Sequence, residues 1–212
     1  MSTTPPIPEA IRNLRVDGYT NVYELVPGAT RLFGTESLFG NWQAPVLLLA
    51  QDFANTSFVQ SRIKANHHDP YSHDCTLRTN KNLRRFARDT LRHGALYGSA
   101  LGPLLKNTNG MSTSLPNRRK AVQAASAVLR FTVENMPNLR TIVCMGSVAY
   151  SSIQHAYFPT RSSALPFRPG RAPTPLPGSD ALVFTTYHPA ARVSTERAQQ
   201  AWQAIADVLR AA

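Results

Sequence analysis

Two stretches of this chain, VLLLA at 46–50 and TIVCM at 141–145, are apolar but for Thr141 at the start of the second, and too short to be ordinary helices. A strand with one face in water alternates apolar and polar residues, whereas an unbroken run suits a strand covered on both faces. Two further segments read as strands, ALGPLLK at 100–106 and ALVFTTY at 181–187. Between and after them lie stretches of helical spacing. TNKNLRRFARDTLRHG at 79–94 places Leu83, Phe86, Ala87 and Leu91 on one face and closes at Gly94. A long helix is expected at 117–137, ended by Pro137, a third at 148–157, and a closing amphipathic helix at 194–212, capped by Ser194 or Thr195.

Strand and helix therefore alternate, which predicts an α/β fold: a three-layer α/β/α sandwich around a central, mostly parallel four-stranded sheet. Residues 45–212 form that domain, and residues 1–44 are expected to be an N-terminal arm packing on it. Within the arm, IPEAIRNLRV has the pattern of a short helix and GTESLFGNWQAP that of a loop. Residues 159–180 carry six prolines and no apolar period, which predicts a long loop.

Charge narrows the partners. Lys and Arg outnumber Asp and Glu by 23 to 12, a net charge of +11, which points to a polyanion such as nucleic acid. Most of the excess is arginine, whose planar fork suits phosphate. There is no run of 18 apolar residues, so no membrane span is expected, and MSTTPPIPEA lacks the basic and apolar regions of a secretory signal. Two cysteines, Cys75 and Cys144, give neither a disulfide framework nor the four thiolates of an iron–sulfur cluster. A reducing cytoplasm and a monomer are expected.

In a parallel sheet covered by helices, ligands bind beyond the carboxyl ends of the strands. Four polar or glycine-containing segments fall there: QDFAN (51–55), KNTNG (106–110), GS (146–147) and YHPAAR (187–192). They offer an acid, Asp52; an amide, Asn107 or Asn109; a small turn, Gly146 and Ser147; and a histidine, His188. The chain has no Walker loop and no G-x-S-x-G elbow, which counts against nucleotide and serine hydrolysis.

QDF at a strand tip with HPAARVS far downstream resembles the two signature motifs of the uracil-DNA glycosylase superfamily. LLKN resembles that family's asparagine strand, and VCMGSVAY its third strand and glycine–serine turn. The matches come in the family's order over roughly residues 45–205. The resemblance implies a monofunctional glycosylase that flips uracil out of DNA and hydrolyses the N-glycosidic bond, leaving an abasic site in base excision repair. It implies roles as well. Asp52 stabilises the sugar cation and orients water, and a neutral His188 stabilises the departing base. Asn107 reads the uracil edge, with Asn109 as the rival. Gln51 contributes a backbone amide or fixes the loop, while Phe53 or Tyr71 stacks on the base. Gly146, Ser147 and Pro189 face DNA, and Arg192 stands where the family has its wedge residue, either entering the stack or holding a phosphate. No cofactor and no metal are expected, and the partner is DNA containing uracil.

The chain also departs from the family. Where the best-known branch has Gly-Gln-Asp-Pro-Tyr, this sequence has Ala50-Gln51-Asp52-Phe53-Ala54, so the tyrosine that blocks a 5-methyl group is replaced by Ala54. HDPYSH at 68–73 resembles the same signature but follows no apolar strand, which leaves QDF as the first motif. NHHDPYSHDC, at 66–75, has a zinc-compatible composition, yet its spacing matches no standard finger. Arg118, Arg119 and Lys120 open the long helix as a basic patch or a solvated face. Two other readings are a uracil-DNA binding protein of the same fold with little turnover, and a small-ligand α/β protein.

Overall fold

The structure is a computed structural model that describes residues 4–74, 76–87, 91, 94–108, 114–158 and 166–211. Its centre is β2 (Val46–Ala50), every residue of which is buried. β3 (Leu96–Ser99) lies parallel on one side of it and β5 (Thr141–Met145) on the other. Next comes β7 (Leu182–Thr186), parallel to β5, and then β6 (Thr174–Pro175), antiparallel at the edge. The sheet order is β3-β2-β5-β7-β6.

Side-chain alternation sends each strand's residues to two cores. Leu47, Leu49, Ile142, Cys144 and Val183 face a core shared with α5 (Arg118–Glu134) and α6 (Ser147–Tyr157). Val46, Leu48, Val143, Met145 and Phe184 face the other, shared with Leu83 of α4 (Arg78–Phe86) and with Trp202 and Ile205 of α7 (Thr195–Ala211). Helices therefore cover both faces, and this is why VLLLA has no polar residue and TIVCM only Thr141, at its start. Among the described residues, no helix is long and apolar enough to cross a membrane.

The expected strand at 100–106 is corrected. The strand that pairs with β2 is β3, immediately before it in sequence. The chain then turns at Gly102, where φ is +59° and an added Cβ would lie 2.7 Å from a Val128 methyl. Ser99 Oγ closes this turn by donating to the Gly102 carbonyl at 3.0 Å. The turn takes the chain out of the large sheet, so β4 (Leu104–Lys106) pairs antiparallel with β1 (Tyr19–Asn21) in a separate two-stranded ribbon. The large sheet has five strands rather than four, because the short β6 adds to its edge, where a proline is tolerated.

Gly102→Ala should lower stability by about 1–3 kcal/mol, since it combines an unfavourable φ with overpacking against Val128. In denaturant unfolding the midpoint should fall with an unchanged slope. An unchanged midpoint would mean that the turn relaxes freely.

The first 44 residues contribute Ile7, Ile11, Val22, Tyr23, Leu32, Phe33 and Trp42 to the same core as α5 and α6. α1 (Glu9–Arg12) is the short helix expected there, and α2 (Val22–Leu25) follows β1. GTES, expected as loop, is a 3-10 turn whose buried Glu36 carboxylate accepts from the Phe33 N–H (2.8 Å) and Trp42 Nε1 (3.1 Å). α3 (Thr56–Lys64) has no counterpart in the sequence reading because only Val59 among its residues is buried. Its signal is the cap instead, Asn55 Oδ1 accepting from the Phe58 N–H at 2.8 Å.

Candidate functional site

A cavity of about 520 Å³ opens at the carboxyl end of β2, β5 and β7, a size typical of small-ligand sites. Its wall contains Gln51 and Asp52 after β2, Lys106 at the end of β4, Gly146 and Ser147 after β5, and His188 after β7. Phe53, His73 and Tyr97 supply aromatic surface.

Asp52 sits two residues beyond a strand that is buried to its last residue, so its carboxylate is drawn into the wall; the side chain is only 15% exposed. Oδ2 lies 3.0 Å from Lys106 Nζ and accepts from Gln51 Nε2 at 3.0 Å. Lys106 is held from two sides, paired with Tyr19 in the ribbon and bridged to Asn55. Its side chain is 7% exposed. Burying both members of an ion pair is costly unless each satisfies the other, and here they do. The Asp52 charge also reaches the neighbouring phenols. Burial is the larger cause that pushes Tyr19 up to about 12, and the carboxylate adds to it. Tyr97 is raised in the same way.

His188 follows β7, whose last carbonyl, on Thr186, accepts the Gly146 N–H at 3.0 Å. Gly146 has φ +102°, a conformation open to glycine, and this turn joins the end of β5 to α6 beside His188. The Ala190 N–H donates to His188 Nδ1 at 3.2 Å, and the Ala191 N–H donates to the His188 carbonyl at 2.8 Å. A backbone N–H can only donate, so Nδ1 is the acceptor nitrogen and a neutral ring carries its proton on Nε2. Burial lowers the pKa of this histidine, and the nearby Asp52 charge opposes that only in part. The result is a neutral imidazole with one oriented N–H donor.

Phe53 packs edge-on to Tyr71 at 5.1 Å between ring centroids and to Phe58 at 6.0 Å. Gly34 makes room for it, since a Cβ there would come within 2.6 Å of the Phe53 ring. Tyr71, the other aromatic candidate, is buried beneath, donates its hydroxyl to the Leu32 carbonyl at 2.8 Å, and does not line the cavity. His73 does, edge-to-face with Tyr97 at 5.7 Å, and burial lowers its pKa too. HDPYSH thus joins the cavity through its last residue rather than as a strand-tip motif.

The remaining expected residues are placed as follows. Ala54 lines the cavity. Asn107 does not: it is exposed, and its Oδ1 accepts from the hydroxyls of Thr20 (2.8 Å) and Thr56 (2.5 Å). Asn109 lies outside the described residues. Ser147 is exposed at the start of α6, where backbone N–H groups favour an anion. The Pro189 carbonyl accepts from Asn82 of α4 at 2.8 Å, tying the His188 loop to that helix. Arg192 is exposed just beyond the cavity wall. Arg78, Lys81, Arg84 and Arg85 lie exposed on α4, and two of them, Arg78 and Arg85, line a cleft that includes His188 and Pro189.

Sequence reasoning passed over Lys106, His73 and Tyr97. For Lys106 a signal existed in LLKN. In a strand, neighbouring residues point to opposite sides, so a buried lysine at the strand end and the asparagine after it cannot share one wall. Among the described residues no three His, Cys, Asp or Glu side chains converge as a metal site, and Cys75 lies outside them. No protein-family model and no curated protein matches this chain.

Proposed function

We propose that this protein is a DNA glycosylase of the uracil-DNA glycosylase type, acting on uracil in DNA as a monomer in the cytoplasm without a cofactor. The observation that carries the reading is one cavity wall holding a buried carboxylate and a neutral histidine whose single N–H donor is oriented by the backbone. The sheet, with α5 and α6 on one face and α4 and α7 on the other, is read as the three-layer α/β/α sandwich of that superfamily.

The chemistry follows from charge. Breaking the N-glycosidic bond builds positive charge on the sugar and negative charge on the base. Asp52 faces the first and orients the attacking water. His188 Nε2–H faces the second, at a carbonyl oxygen of the base, where a preformed donor is worth more than one in water. Gln51 holds the carboxylate. Phe53 offers a face for stacking the flipped base. The N-terminus of α6 at Ser147 takes a backbone phosphate, and the arginines of α4 and Arg192 track the strand beside it. Because Asn107 is engaged with Thr20 and Thr56, the base edge is read by other groups of the wall, whose amides are those of Gln51 and Asn55.

Incubation with uracil-containing oligonucleotides, followed by alkaline cleavage, tests this. Product in excess over enzyme establishes turnover. Product limited to one equivalent, or tight binding without product, favours a uracil-DNA binding protein instead.

Ala54 sets the range of bases. A pocket separates substrates differing by one methylene by only about 1–3 kcal/mol unless something clashes. The wild type should therefore also excise 5-substituted uracils, while paired thymine is spared because flipping a stable pair costs a few kcal/mol more. Ala54→Tyr should narrow the range and keep uracil activity. Strict uracil specificity in the wild type would show that Phe53 or another wall residue closes the gate.

A further inference from the structure

The sequence motifs imply a glycosylase that stops at the abasic site. Lys106 suggests a second step. Its amine lies 3.0 Å from the Asp52 carboxylate, is almost wholly buried, and lines the same cavity. A buried ion pair is a poor device for stability alone, since a well-packed apolar pair usually does as well or better. Here the pair stands in the wall of a cavity, where its amine and carboxylate can meet a bound molecule. If Asp52 lies beneath the anomeric carbon, as the proposed function has it, the Lys106 amine is within one side-chain contact of that carbon. After the base leaves, the ring-opened form of the sugar presents an aldehyde there, the electrophile with which a lysine amine condenses.

We infer that Lys106 forms an imine with the abasic sugar and that the Asp52–Lys106 pair makes this protein an abasic-site lyase as well as a glycosylase. The steps balance without any redox partner. The ammonium gives one proton to Asp52, which passes it to water. The free amine adds to C1′, one N–H proton and one proton returned from water pass to the aldehyde oxygen, and that oxygen leaves as water, giving an iminium ion. Asp52 then removes a proton from C2′. The C–H electron pair forms the C2′–C3′ double bond, the C3′–O bond breaks, and the phosphate departs as the 5′-phosphate end of the downstream strand. Water hydrolyses the imine, releasing an unsaturated aldehyde on the upstream strand and restoring the amine. The inference rests on the glycosylase reading for the position of the sugar, but its test does not depend on uracil excision.

The full-length protein is incubated with an oligonucleotide carrying an abasic site made by mild acid depurination, in the presence of sodium borohydride. Reduction of the imine should give a covalent protein–DNA adduct, and without borohydride the strand should be nicked. A tetrahydrofuran analogue, which has no aldehyde, should give neither. Peptide mapping of the wild-type adduct should place it on Lys106, a readout that needs no variant to fold. Lys106→Arg, which keeps a cation beside Asp52, should lose at least nine-tenths of the adduct. An adduct on exposed Lys64, Lys81 or Lys120, or none at all in the wild type, overturns the inference. Uracil excision is scored separately on uracil-containing DNA. Excision without an adduct sinks the lyase alone, and an adduct without excision sinks the glycosylase reading while leaving Lys106 as the amine.

Discussion

Asp52→Asn should slow base excision by about a hundredfold or more at saturating enzyme, the scale expected when a charge positioned for the transition state is removed. DNA affinity should change little, because the basic surface on α4 is untouched. The structure adds a second consequence. Lys106, 7% exposed, loses its counter-charge, and breaking a buried pair from one side costs about 3–5 kcal/mol. That is a large share of the stability of an ordinary domain, so a slow variant could simply be an unfolded one. Asp52→Asn combined with Lys106→Met separates the two effects. It removes the orphaned charge, so the melting temperature should recover most of its loss while the excision rate stays low. Single-turnover kinetics and thermal melts of both variants read this directly. Wild-type rates in Asp52→Asn would take the carboxylate out of the mechanism, and recovery of rate with stability in the double variant would make it a structural group.

How much of this was legible in the sequence depends on which physical signal each part carries. The apolar runs at 46–50 and 142–145 announce strands covered on both faces, and with ALVFTTY at 181–187 they give the parallel sheet, the flanking helices and the position of Asp52 and His188 at strand tips. The register of the second strand was not legible, because LYGS and LLK are both short, buried and only a few residues apart. What decides between them is the turn at Gly102 against Val128, a contact between segments far apart in the chain. The same holds for the site. Asp52 and His188 are signalled by their own neighbours. Lys106 acts through a partner 54 positions away, and His73 enters the cavity because it packs, with Tyr71, on Phe53. Asn107 looked right by spacing and is turned away by the alternation of a strand whose register the sequence did not give away.

His188→Ala should lower the excision rate by about 10²–10³-fold, as loss of one oriented donor to a developing anion does, with a much smaller effect on DNA binding. The wild-type pH profile then identifies the form that acts. Burial holds the folded pKa of His188 below the ordinary 6.5. The neutral ring, with Ala190 N–H on Nδ1 and the proton on Nε2, therefore persists to a lower pH than in a free histidine. Excision should stay near its maximum as the pH falls through 6.5 and decline only below it. A rate that instead rises on acidification would assign the work to an imidazolium and overturn the neutral-donor mechanism. Stability moves with the same group. Since the unfolded chain takes up this proton near pH 6.5 and the folded chain only lower, stability is at its plateau above that value and is lost as the pH drops from 6.5 towards the folded pKa. His73, buried and shifted in the same direction, adds to the loss. Thermal melts between pH 7.5 and 5 should show the fall in the wild type and a shallower one in His188→Ala. An equal slope in both would mean that His188 titrates in the folded protein as it does in the unfolded chain, and the buried, neutral donor would have to be abandoned.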